Sequence, residues 1–284
     1  MNDASLSGNP APKVRPIHDG TLLSELIVVG SDLLSGVVGD SSAQLVATAL
    51  AERGAPVRRI TVIADDTEII EATLREVLDR NPNIVVTIGG LGPARDDRTM
   101  SGVSRALELP LKLNPGAREC VESAYRRMRE ERRVESTGLN AAREKMAHLP
   151  VGCIVLDNVL GIAPGSIYRL PGGTAVISVP GTPREARTVF EAALPHLGDL
   201  GKGSVRARRE IEAPLPDESA LRPLIERMVE EFPNAKLTTR PVGSQKKGYR
   251  LVVLIEVPAE TTEEAESTIG AIVKRLLDLV SGLR

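Results

Sequence analysis

Aromatic residues are nearly missing from this chain: among 284 residues there is no Trp, with two Phe and three Tyr. Its cores must be built from Val, Ile, Leu and Ala. Aromatic stacking platforms of the kind that hold single-stranded nucleic acid are not expected. Cysteine is almost as scarce. Cys120 and Cys153 stand alone with no metal-type spacing, so neither a disulfide framework nor a structural zinc site is expected, which suits a reducing cytoplasmic interior. No apolar run approaches the ~18 residues of a membrane span, and the first residues carry no hydrophobic signal core. Neither charge predominates: 36 Lys and Arg stand against 38 Asp and Glu, a net charge of -2. That balance argues against a basic surface for phosphate backbones. Arg126, Arg127, Arg129, Arg132 and Arg133 are interleaved with Glu130, Glu131 and Glu135, a solvated helix face rather than a binding patch.

What the chain does have is a buried strand that runs into glycine. Ile84 to Ile88 is a β-branched run, and it breaks into Gly89-Gly90-Leu91-Gly92-Pro93. Glycine tolerates φ > 0 and lets backbone approach a ligand closely. Asp96 and Asp97 follow at once, and Thr99 opens the next helical pattern. Free backbone N–H groups and two carboxylates on one loop suit a phosphate with a divalent metal, Mg²⁺ or similar. In an open α/β sheet the ligand crevice lies beyond the carboxyl ends of the strands, where this loop would sit.

Taken in order, residues 1–23 are proline-bearing and aperiodic and read as a flexible leader. Residues 25–30 form a first strand, and Gly30 to Ser42 combine polar side chains with glycines before a helix over 43–53, which Ser41 or Ser42 would cap. A second strand over 57–63 leads to Asp65-Asp66-Thr67-Glu68, a capping box from Asp65 to Glu68. The central strand completes a β-α-β-α-β order, which predicts a parallel sheet with right-handed crossovers. Three helical segments follow, over 99–107, 115–133 and 139–147, too long for a simple crossover and therefore a helical flap beside the site. Strands over 153–156, 167–170 and 174–179 come next, and Thr182 with Pro183 starts a helix, so Gly181 marks a second anion position. Beyond a linker at 198–203 the order becomes β-α-β-β-α, a small α+β sandwich with two helices on one face; its hairpin loop at 243–248 reads as a solvated tip.

With both glycine turns placed, the chain resembles the molybdopterin-binding (MoaB/Mog) superfamily, and within it the competence-damage-inducible A (CinA) type. The resemblance rests on Gly30-Ser31-Asp32-Leu33-Leu34-Ser35-Gly36, on Thr87-Ile88-Gly89-Gly90-Leu91-Gly92-Pro93-Ala94-Arg95-Asp96-Asp97, on Asn158-Val159-Leu160-Gly161-Ile162-Ala163-Pro164-Gly165, and on Val179-Pro180-Gly181-Thr182-Pro183-Arg184-Glu185. It implies a three-layer α/β/α domain with a mostly parallel sheet over 24–197, followed by a small α+β (βαββα) domain over 204–284. It also implies an oligomer. The deamidase domain of many relatives has no counterpart here, so that activity is not expected. Ile88 and Ala94 depart from the family pattern, which has small or hydroxyl residues there.

The resemblance further implies a function. Its leading form is a metal-dependent nucleotide pyrophosphatase acting on a diphosphate such as ADP-ribose. Asp96 and Asp97 would be catalytic, and Asp32, Asp96 and Asp97 would hold the divalent metal. Thr87, Gly89, Gly90, Gly92, Ser31, Asp40, Ser41, Asn158 and Gly181 would bind the ligand and its phosphates. Lys145 and Arg143 are further candidates for phosphate contact. The alternatives are a molybdopterin-binding or adenylating protein of molybdenum-cofactor metabolism, and a non-catalytic nucleotide-binding protein. The expected partner is thus a nucleotide diphosphate or pterin, with no nucleic acid and no membrane.

Overall fold

The computed structural model describes residues 22–198, 205–244, 248–259 and 261–281. Most of the expected leader, the linker beyond Gly198 and the tip of the 243–248 hairpin therefore lie outside the described residues. The chain divides into two compact units, each with its own core.

The first unit opens with β1 (Ser24–Val29), α1 (Ser31–Leu34), α2 (Ser42–Ala51), β2 (Val57–Ile63), α3 (Thr67–Asp79), β3 (Ile84–Ile88) and α4 (Thr99–Ala106). There follow β4 (Leu111–Leu113), α5 (Pro115–Glu130), α6 (Ala141–Lys145), β5 (His148–Pro150), β6 (Ile154–Leu156), β7 (Gly165–Arg169), β8 (Ala175–Val179) and α7 (Pro183–Ala193). Six strands pair in the order β2-β1-β3-β8-β7-β6. The first four run parallel, and β7 and β6 are antiparallel.

Every residue of β1, β3 and β8 is buried, because helices cover both faces of the sheet. Alternate side chains divide between two cores. Leu26, Val28, Val86, Ile88 and Ile177 pack with Val46 and Leu50 of α2 and with Val189 and Phe190 of α7. Ile27, Val29, Val85 and Val176 pack with Ile70 and Leu74 of α3 and Val103 of α4. This is the three-layer α/β/α architecture. The chain leaves β1 toward β2 on one side and reaches β3 on the other, so the crevice of an open sheet falls between the carboxyl ends of β1 and β3.

The insertion after α4 is not all helix. Only Ala141–Lys145 is helical in its third segment; residues from His148 pair instead with β4 in a small antiparallel sheet. Leu149 is fully buried in the insertion's own core with Ala117, Val121, Tyr125 and Met146, and Leu91 of the glycine loop joins that core. Asp65 is not the cap of α3. Asp66 is, with its carboxylate accepting from the N–H of Glu68 and Ile69, while Asp65 accepts from Ser31 N–H at 2.6 Å.

The second unit contains β9 (Val205–Glu212), α8 (Glu218–Glu231), β10 (Lys236–Ser244), β11 (Gly248–Ala259) and α9 (Thr262–Ser281). Its antiparallel sheet runs β10-β11-β9. Leu221 and Met228 of α8 and Ile269, Ile272 and Leu276 of α9 share one core with Val253 and Ile255. Among the described residues no helix is long and apolar enough to cross a membrane.

Helices α3 and α4 approach closely because Gly102 has no side chain. A Cβ there would lie 2.4 Å from Ile70 Cγ2 and 3.1 Å from the Thr67 carbonyl oxygen. Alanine normally favours a helix over glycine by about 1 kcal/mol. Here Gly102→Ala should instead lower the urea-unfolding free energy by about 1–3 kcal/mol through overpacking; unchanged or raised stability would show that the helices do not meet this tightly.

Candidate functional site

The glycine loop is shaped by what surrounds the end of β3. Gly89 has φ 96° and Gly90 φ 67°, the left-handed region. A Cβ on Gly89 would sit 2.5 Å from the Val29 carbonyl oxygen of β1, and one on Gly90 2.3 Å from Thr99 Oγ1. The Gly89 N–H donates to Val179 O of β8 at 3.0 Å. Thr99, fully buried at the first position of α4, donates its hydroxyl to Gly89 O at 2.7 Å, and its N–H donates to Gly90 O at 3.1 Å. The end of β3 is thus held by β1, β8 and α4 at once.

Past that point the loop turns on Asp97. Its Oδ2 accepts from Ala94 N–H at 2.8 Å, and Asp97 N–H donates back to Ala94 O at 3.2 Å. Lys145 of α6 donates an Nζ hydrogen to the same Ala94 carbonyl. Burial holds the Lys145 ammonium below the usual lysine range, against the opposing pull of Asp97 and Asp96. Among the described residues the backbone N–H groups of Gly90, Leu91 and Gly92 have no hydrogen-bond partner. Three consecutive unpaired donors before the amino end of α4 make an anion-binding nest.

A cavity of about 290 Å³ adjoins this loop, between α4 and the insertion. Leu91, Met100, Leu111 and Met146 supply apolar walls, with Asp97, Glu144, Lys145 and His148 as the ionisable groups. His148 Nδ1 lies 3.0 Å from the Glu144 carbonyl oxygen. A carbonyl only accepts, so Nδ1 carries the proton in this contact.

The other expected site residues are placed as follows. Thr87 is fully buried in β3 and donates its hydroxyl to Ser178 Oγ at 2.8 Å, so it ties β3 to β8 and does not face the crevice. Ser31 is engaged with Asp65 through its N–H and, at 3.2 Å, its Oγ. Asp40, not Ser41 or Ser42, caps α2, accepting from Ser42 N–H at 2.8 Å and from Ala43 N–H. Ser41 is exposed beside it. Asn158 is buried and spends its amide locally, donating to Ala163 O and Glu185 Oε2 and accepting from Gly161 N–H. Gly181 touches the loop: a Cβ there would lie 3.3 Å from Gly89 Cα, and its carbonyl accepts from Ser42 Oγ. Arg143 is turned away, lying over the Tyr125 ring at 3.8 Å and donating to Ser136 O and Gly138 O.

The carboxylates do not form a cage. Asp32 is exposed on α1, Asp96 is exposed, and Asp97 spends one oxygen on the loop backbone. Among the described residues no three His, Cys, Asp or Glu side chains gather to hold a metal ion. Asp32, Asp96 and Asp97 therefore do not make a three-carboxylate metal site by themselves. Cysteine chemistry is also disfavoured, since burial pushes both the Cys120 and Cys153 thiols up to about 11. The signal sequence reading passed over was the cavity wall: Met100, Leu111 and Met146 carry no motif, and only the fold brings them to the loop.

Residues 25–199 match the family model described as a probable molybdopterin binding domain. Protein PH0439 of Pyrococcus horikoshii is 37% identical over 226 residues, which is 79% of this chain and 86% of that protein. Protein TK1472 of Thermococcus kodakarensis is 35% identical over 249 residues, 87% of this chain and 95% of its own. Among solved structures, the protein CinA with unknown function from Thermoplasma acidophilum superposes with a TM-score of 0.55 at 31% identity, over 62% of this chain and 98% of that one.

The Thr99 hydroxyl holds the Gly89 carbonyl in place. Thr99→Val should cost about 1–3 kcal/mol of stability, the penalty for a buried acceptor left unpaired, and should speed amide hydrogen exchange in the 94–99 segment. Thr99→Ser should restore both. Equal exchange in all three proteins would show that the hydroxyl does not hold the loop.

Proposed function

Since the chain belongs to the family of probable molybdopterin-binding domains, we propose that its glycine loop binds the phosphate of a pterin-type small molecule. The observation that carries this reading is the run of unpaired N–H donors at Gly90, Leu91 and Gly92. Gly90 and Gly92 are half-buried, so these donors are open to a ligand, and a phosphate oxygen is an acceptor that suits consecutive backbone N–H groups ahead of a helix. The positive end of α4 begins at Thr99 and adds a favourable field for the anion, which fades within the first turn. Lys145 adds a full positive charge from the other side of the loop.

In this arrangement Thr99, Asp97 and Leu91 are positioning residues. They set the loop before ligand arrives, so binding does not have to order it. Thr87, Asn158 and Asp40 act further back, holding strand, loop and helix in register. Binding of molybdopterin, with or without its adenylation, uses the same loop.

Hydrolysis of a nucleotide diphosphate such as ADP-ribose is the second reading. It is favoured by the adjacent Asp96 and Asp97 on the glycine loop. It needs a divalent ion, and the described carboxylates do not gather to hold one. Such an ion would have to be held mainly by the substrate's phosphates and water.

Calorimetric titration with dihydroneopterin monophosphate and with ADP-ribose, each with and without Mg²⁺ and followed by product chromatography, separates the readings. Saturable binding of the phosphorylated pterin without turnover, weakened at least about tenfold in Gly90→Ala, whose Cβ would lie 2.3 Å from Thr99 Oγ1 at a left-handed φ and so push the loop's N–H donors out of place, is the expected result. Absence of any binding by the phosphorylated pterin would overturn it. Metal-dependent cleavage of ADP-ribose, lost in Asp97→Ala, would put hydrolysis in its place.

A further inference from the structure

The sheet of the first unit ends on one side at β2, and that edge is open. Among the described residues only β1 pairs with it. Ile63 O accepts from Gly30 N–H, just past β1, at 2.9 Å. The N–H of Ala64 belongs to the same peptide and so points the opposite way, out of the sheet; by alternation the N–H and C=O of Val62 and Ile60 also point outward. The side chains there are apolar: Ile60 is 47% and Val62 40% exposed, and Ile69, in the first turn of α3 just beyond, is 44% exposed. A strand that offers unpaired backbone together with apolar side chains is a template for a further strand.

The charges around this edge say which strand fits. Arg58 and Arg59 stand before Ile60-Thr61-Val62-Ile63-Ala64, and Asp65 and Asp66 stand after it. Laid antiparallel on its own copy with Val62 opposite Val62, the segment sets Thr61 opposite Ile63, Ile60 opposite Ala64, Arg59 opposite Asp65 and Arg58 opposite Asp66. No like charges meet. Arginines on an edge strand ordinarily discourage pairing, yet here each finds a carboxylate. Arg58 has no ion-pair partner among the described residues, and Arg59 has only Glu76 at 3.9 Å. Asp65 gives Oδ2 to Ser31 N–H and Asp66 gives Oδ1 to the N–H groups of Glu68 and Ile69, so each keeps one oxygen free among the described residues. Asp66 N–H donates to Ala64 O at 2.8 Å. The chain therefore bends at Asp65, the extended ladder ends at Ala64, and the two carboxylates stand just past it.

We propose that β2 is the docking edge for a second copy of this chain: two sheets join antiparallel through β2, about a two-fold axis at Val62. Each Val62 exchanges N–H···O bonds with its mate, and Ile60 does the same with Ala64 of the second copy on either side of the axis. Ile60 and Val62 lose their exposure, and the arginine and aspartate pairs close the two ends. The same surface serves both copies, so the contact closes as a dimer and does not propagate. It uses no residue of the glycine loop, so pairing at β2 and binding at the loop stand or fall separately.

The test is sedimentation velocity on the full chain over a micromolar concentration series, where the wild type should be a dimer. Val62→Lys, which sets two ammonium groups face to face on an exposed position, should raise the dimer dissociation constant at least about a hundredfold. Arg58→Glu with Arg59→Glu, which turns both end pairs into carboxylate against carboxylate, should raise it at least about tenfold. Both should leave the circular-dichroism spectrum unchanged. Val62→Cys supplies a readout that does not depend on weakening: directly opposed residues of a hydrogen-bonded antiparallel pair have Cα atoms about 5.5 Å apart, within reach of a disulfide. Mild oxidation should link it into a covalent dimer, whereas Val229→Cys, at the comparably exposed Val229 of α8, should stay unlinked. A wild type that is monomeric throughout or trimeric would overturn the proposal, as would a dimer that both charge variants leave intact and Val62→Cys does not cross-link.

Discussion

Everything at the candidate site depends on how closely the chain passes itself at the end of β3. Gly89 lies against the last carbonyl of β1, where no Cβ fits, and against Gly181 beyond β8, where one would be tight. Three parallel strands can therefore end within hydrogen-bonding distance of one loop. The consequence is geometric: the chain must turn through left-handed φ values at Gly89 and Gly90, which swings the next N–H groups out of the sheet's hydrogen-bond pattern. Unpaired donors are the result of the packing, and the proposed anion site is built on them.

A loop with unpaired donors is costly unless it is fixed from outside, and two anchors fix it. Thr99 bonds both Gly89 and Gly90 carbonyls from inside the first unit's core. Leu91 is buried in the insertion's own cluster with Val121, Tyr125 and Leu149. Burying a leucine contributes about 1.5–3 kcal/mol, comparable to a few hydrogen bonds. The loop therefore links two hydrophobic clusters, the sheet core and the insertion, and its position reports on both. Lys145 crosses from the second to the first at Ala94. That is why the insertion belongs to the site and is more than a cover over it.

The sequence made the outline legible and left the side-chain partners hidden. The continuous β-branched run at Ile84 to Ile88 announced a strand covered on both faces, and the glycines after Ile88 announced the turn. Which polar side chain serves which role was not legible, because adjacent residues of equal chemistry compete and tertiary geometry decides. Asp65 and Asp66 both suit a helix cap; Asp66 takes it and Asp65 turns to Ser31. Asp40 caps α2 although two serines follow it. Thr87 alternates toward Ser178 within the sheet, a direction that depends on strand register. The short strands β4 and β5 escaped notice because His148, Leu149 and Pro150 continue a helical apolar pattern, and only pairing with Leu111 and Leu113 makes them a sheet.

The departure at Ala94 illustrates what kind of residue this site can lose. A hydroxyl is missing there, yet the position works through its backbone: the N–H binds Asp97 and the carbonyl receives Asp97 N–H and Lys145. Backbone groups survive substitution, so the loop keeps its shape and its anion-binding donors without the side chain. Catalysis is less forgiving. A hydrolytic role asks Asp97 to orient a metal with the same carboxylate whose Oδ2 already fixes the loop through Ala94 N–H. Asp96, exposed, has no second carboxylate from Asp32 gathered with it in a metal-holding group.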